Sequence, residues 1–72
     1  MARHTYTVEY VCGVHNKKVD VIAGNKWDAY MKAVYEVIPE REGELPYSAF
    51  VDSVTYQNGN CKHFNTFAGK PV

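Results

Sequence analysis

Apolar and polar residues alternate along the start of the chain. From His4 to Val14, Tyr6, Val8, Tyr10, Cys12 and Val14 fall on one side, while Thr5, Thr7, Glu9 and Val11 fall on the other. A period of two in a β-rich composition predicts a strand. A turn is expected around His15-Asn16-Lys17, with Asn16 as the pivot because Asn tolerates positive φ. A second strand follows from Lys18 to Ala23. A two-residue loop at Asn16-Lys17 would set Val14 across from Val19, Cys12 across from Val21 and Tyr10 across from Ala23. This register keeps the apolar residues on one face.

The period changes after Gly24. Asn25 is a good helix N-cap, and Asp28 three residues on approximates a capping box. Trp27, Tyr30, Met31, Val34, Tyr35 and Ile38 then recur at helical spacing, which predicts one buried stripe. Pro39 disfavours helix at Ile38 and is expected to end it there. Residues 40–46 are charged, aperiodic and the most acidic stretch, and they read as a surface loop.

Tyr47 to Gln57 predicts a third strand. Asn58-Gly59 is the strongest hairpin signal in the chain. A fourth strand is expected from Asn60 to about Phe67. A type I′ turn there would pair Tyr56 with Cys61, Val54 with His63, Asp52 with Asn65 and Phe50 with Phe67. The predicted fold class is α+β: β-β-α-β-β, a mainly antiparallel four-stranded sheet with one helix on one face, residues 1–72 forming a single domain. Residues 1–3 and 68–72 are expected to be frayed. Strand order is left open, apart from the expectation that a right-handed crossover runs the third strand parallel to the second or to a neighbour of it.

A single helix covers one face only. The helix side is expected to hold Tyr6, Val8, Tyr10, Cys12, Val19, Val21, Phe50, Val54, Tyr56, Cys61 and Phe67. The other face then carries Val11, Ile22, Val51 and Phe64 among polar neighbours, with Lys18 and Lys62. An apolar patch with no second layer marks an association surface. The function expected from it is a small non-enzymatic module that uses the open sheet face to bind a protein partner or a second copy of itself.

Composition narrows the alternatives. Eight basic and eight acidic side chains leave a net charge of zero, with a pI near 6.8. Nucleic-acid binding normally needs a basic excess, so a single-strand-binding sheet using Lys18, Lys62 and Phe64 is the second reading. No apolar run is long enough to cross a bilayer, and the first residues lack a signal-peptide core; a cytoplasmic protein without membrane partners is expected. Two cysteines are too few for a secreted disulfide scaffold and read as reduced thiols. Cys12 and His15, with Cys61 and His63, form two half-sites for zinc; their spacing matches no standard module, so buried thiols are preferred and no cofactor is expected. Asp52 and His63 supply half of an acid–base pair without a nucleophile or a cleft, and Glu40, Glu42 and Glu44 sit where nothing fixes their separation. No enzyme is expected.

Overall fold

The computed structural model describes residues 3–64. Within them, β1 (His4–Cys12) and β2 (His15–Ala23) form a hairpin, followed by a helix over residues 26–42, β3 (Ser48–Thr55) and β4 (Cys61–His63). The four strands make one antiparallel sheet in the order β2-β1-β3-β4. Thus β3 runs in the direction of β2, with β1 between them. This is the predicted α+β architecture.

The β1–β2 turn is Gly13-Val14, not Asn16-Lys17. Cys12 lies opposite His15, Val8 opposite Val19 and Tyr6 opposite Val21. Gly13 has φ +75, which suits the first central position of a two-residue hairpin loop. The expected partner of Cys12 was Val21, so the strand is displaced by six positions. An even displacement leaves the paired side chains on their faces, and Tyr6, Val8, Tyr10, Cys12, Val19 and Val21 are all buried, whereas Val14, expected beside them, sits in the turn at 89% exposure.

The helix begins as expected. The Asn25 side-chain oxygen accepts the Asp28 N–H at 2.9 Å. It does not stop at Ile38. An α-helical segment, α1 (Lys26–Lys32), passes through a π turn (Ala33–Val37) into α2 (Ile38–Glu42). The Ile38 N–H reaches back to the Ala33 carbonyl. Proline is excluded from a helix interior because it lacks an N–H and its ring strikes a carbonyl one turn back. The wide turn re-routes the hydrogen bonds just ahead of Pro39, which then occupies the first turn of α2, a favourable place for it. Gly43 closes the helix in the left-handed region at φ +83, its N–H bonded to the Pro39 carbonyl at 2.8 Å.

The second hairpin departs further from expectation. A β-bulge falls between Thr7 and Val8, where β3 passes from Ser53 to Val51 and leaves Asp52 as the extra residue. Val51 therefore faces Val8 and the helix, and Phe50 faces Glu9 on the other side. The loop at Asn58-Gly59 has three residues, not two. The Tyr56 N–H bonds the Asn60 carbonyl at 2.7 Å, and Gly59 takes φ +94. Cys61 consequently lies opposite Thr55, not Tyr56, and an odd displacement exchanges the faces of β4. The expected pairs of Asn65, Thr66 and Phe67 lie outside the described residues, as do residues 68–72.

The core packs Val8, Tyr10, Ala29, Ala33, Ile38 and Val54, each at most 2% exposed, between sheet and helix. Among the described residues, no helix is long and apolar enough to cross a membrane.

Candidate functional site

The six residues that sequence pattern assigns to the open sheet face do not assemble there. Val11, Lys18 and Ile22 do lie on that face, through their register with β1 and β2. Val11 stands opposite Asn16, however, and Ile22 opposite Thr5. The two lie six positions apart along β1, about 20 Å. Val51 is 6% exposed in the core, carried there by the bulge. Phe64 is on the helix side. Its ring stacks nearly parallel to Tyr6 at 6.5 Å, with Lys26 Nζ 5.2 Å from its centroid. Lys62 lies opposite Val54, so it too falls on the helix side of the register, at the exposed edge. Lys18, Lys62 and Phe64 thus form no single stacking platform.

Polar contacts dominate what remains of the open face. The Thr7 hydroxyl donates to Asp20 at 2.8 Å. Asp52 lies 3.9 Å from Lys18 and 4.0 Å from His63. The structure therefore brings Asp52 and His63 together, but His63 is 75% exposed, and a solvated pair of this kind is weakly coupled. The two zinc half-sites stay apart, because β3 separates the strand of Cys12 from that of Cys61 and His63. Among the described residues, no group of three or more His, Cys, Asp or Glu side chains is placed to hold a metal.

Two clusters escape a reading by pattern. The first ties the end of the helix to the β1–β2 hairpin. The Tyr10 hydroxyl donates to Glu42 at 2.7 Å, Lys17 Nζ binds both oxygens of that carboxylate at 3.1 Å, and the Cys12 thiol donates to Glu44 at 3.2 Å. The acidic stretch is thus partly helix and partly anchored loop. Burial, then the bond to Glu42, pushes the Tyr10 phenol up. The bond to Glu44, then burial, pushes the Cys12 thiol up. The Tyr10 hydroxyl, then Lys17, holds the Glu42 carboxyl below its ordinary range. A raised thiol or phenol pKa is the opposite of activation for nucleophilic chemistry. The cluster is a brace.

The second cluster is apolar and exposed. The helix meets the sheet with Ala29, Ala33, Val34 and Ile38, all buried, while Tyr30 and Val37 pack partly against the core. Small side chains at positions 29 and 33 let the helix approach the sheet closely. Trp27, Met31 and Tyr35 are left outside, at 71%, 55% and 58% exposure. The stripe expected to be core is therefore split lengthwise. The alanine pair four residues apart was the available signal, since it marks a close-approach face that large aromatics cannot share. Beside the row, Trp27 and Tyr30 form a groove with Ala49, Phe50 and Val51, and Lys26 stands at its lip. Lys26 Nζ lies 5.9 Å from the Trp27 ring centroid.

A scan against protein-family models, a search of curated proteins and a search of solved structures each return no match. The functional reading therefore rests on the chain's own geometry. That geometry offers large rigid apolar side chains in a row at the surface, with no converging acid, base and nucleophile among the described residues.

Proposed function

We propose that this chain is a non-enzymatic protein-binding module whose contact surface is the outward row of the helix, Trp27, Met31 and Tyr35, extended by the groove between Tyr30 and β3. One observation carries the reading: three large side chains, each more than half exposed, stand four residues apart on one helix. Tryptophan, tyrosine and methionine are enriched where proteins meet, because they bury much area for little lost freedom. The open sheet face has less to offer such a partner, since Thr7 bonds Asp20 and Lys18 pairs with Asp52 across it.

Met31 and Ile22 make a matched pair for the test, because both are 55% exposed and they stand on opposite sides of the sheet. A photo-reactive residue placed at position 31 is expected to form protein adducts in extract of the source cells. The same residue at position 22 is expected to form few. Adducts from position 22 alone, or equally from both, would overturn the reading.

A further inference from the structure

We infer that the protein seated on this row is a second copy of the chain, packed helix on helix and antiparallel about Met31. The inference rests on the reading of the helix row as the contact surface and names its partner.

The row is self-complementary. Met31 is central, with Trp27 four residues before it and Tyr35 four residues after it. A two-fold axis through Met31 sets that residue against itself and Trp27 against Tyr35 of the other copy. Both contacts are favourable kinds, a flexible thioether beside rings and an aromatic pair. Residues four apart form the ridges by which helices most commonly interlock.

The backbone straightens the row. In a regular α-helix, positions four apart drift by about 40° per step, so a row of three curls away from a flat partner. The π turn at Ala33–Val37 holds more residues per turn and reduces the drift at Tyr35.

Area and charge also fit a second copy. An aromatic side chain carries roughly 150–250 Å². At the exposures observed, the row offers on the order of 400 Å² of apolar surface per copy. Two copies would bury about 800 Å² from these side chains, so a rim of about 400 Å² in total reaches the lower edge of specific interfaces, about 1,200 Å². A chain of zero net charge meets its copy without long-range repulsion.

The test is the solution mass of the purified chain by light scattering, from about 1 µM to 1 mM, which spans the dissociation constants of a weak dimer. The mass is expected to rise from 8.2 kDa toward twice that value. Met31→Glu and Met31→Lys are each expected to weaken association at least tenfold, with circular dichroism unchanged. An equimolar mixture of the two is expected to regain it, because the introduced charges meet at the axis. Tyr35→Glu provides an independent variant and should also remain at the single-chain mass. A chain monomeric throughout overturns the second-copy inference, while adducts with another protein from position 31 would keep the contact surface. A dimer that survives in both Met31 variants overturns the surface as well. A mixture that stays monomeric overturns the antiparallel arrangement about Met31.

Discussion

The β1–β2 and β3–β4 hairpins are two halves of one sheet, built on different terms. The first joins two nine-residue strands through a two-residue turn, with no irregularity in its pairing. In β2, every second residue from Val19 is buried under the helix. The second hairpin joins a bulged strand to one of three residues, all of them exposed, through a three-residue loop. The first hairpin is held by core packing, and its register follows from what must be buried. In the second, β3 contributes Val51 and Val54 to the core while β4 is held mainly by main-chain bonds, so the register of β4 follows from turn geometry and the bulge sets which side chains of β3 face the helix.

Val8 is where this contrast breaks altogether. It is fully buried on the strand the two halves share, opposite Val19 and Val51. Val8→Asp places a carboxylate there, at a cost of several kcal/mol. A domain this small has about 5 kcal/mol to lose. Loss of the cooperative fold is expected, with collapse of amide dispersion in NMR spectra. Retention of β3–β4 pairing in that variant would show that the second hairpin stands alone.

Deleting Asp52 sharpens the contrast. As the extra residue of the bulge, it can leave without changing the partners on either side: Thr7 keeps Ser53 and Val8 keeps Val51. The deletion removes the Phe64 N–H bond to the Asp52 carbonyl and the surface pairs with Lys18 and His63. The expected cost is about 1–2 kcal/mol by denaturant titration. In an unbulged strand, the same deletion would turn half of β3 inside out and unfold the protein.

The turn glycines separate local from global effects. Gly13 and Gly59 both have positive φ, and an added Cβ would meet nothing within 4 Å at either, so the cost of alanine is conformational, about 1–2 kcal/mol. Gly13→Ala should lower the melting temperature of the whole domain, because β1 and β2 carry the core. Gly59→Ala should act mainly on Cys61–His63. Hydrogen exchange there should quicken while Val8 and Val21 keep their protection. Equal protection loss at all these sites would mean that the hairpins open as one unit.

Much of this was legible in the chain before its structure. The element order, the Asn25 cap and the buried face of the first hairpin all follow from patterns repeated over many residues. The turn at Gly13-Val14 is hidden because Asn16 offers a competing pivot; six positions is an even displacement, so only Val14 leaves the buried face. The bulge at Asp52 has no local signature: Phe50, Val51 and Val54 are all apolar, so alternation alone assigns Phe50 inward and Val51 outward. The site depended on that assignment. Its actual constituents, Trp27, Met31 and Tyr35, were read as core because apolar spacing cannot say which edge of a broad stripe meets the sheet. Pro39 concealed the rest, since a π turn that admits proline is a property of the backbone.

The smallest expected effect belongs to the brace at the far end of the first hairpin. Glu42 is bonded by Tyr10 and Lys17 and is 15% exposed, whereas Asp52 of the second hairpin is 25% exposed and has only the longer contacts to Lys18 and His63. The Tyr10 hydroxyl, then Lys17, depresses the folded-state pKa of Glu42. A depressed carboxylate contributes stability that is present above its unfolded pKa and is lost as pH falls through the folded value. The acid limb of a stability–pH curve should therefore lose part of its slope in Glu42→Gln, whose amide oxygen still accepts the Tyr10 hydroxyl. On the alkaline side the sign reverses. The Tyr10 phenol and Cys12 thiol are raised in the fold, so their contribution is present below their unfolded values and is lost as pH rises through the folded ones. Asp52→Asn is the control, expected to change stability by less than about 0.5 kcal/mol, as exposed pairs do. An acid limb that responds to Asp52→Asn and ignores Glu42→Gln would place the electrostatic anchor of the sheet in its second hairpin and reverse the comparison.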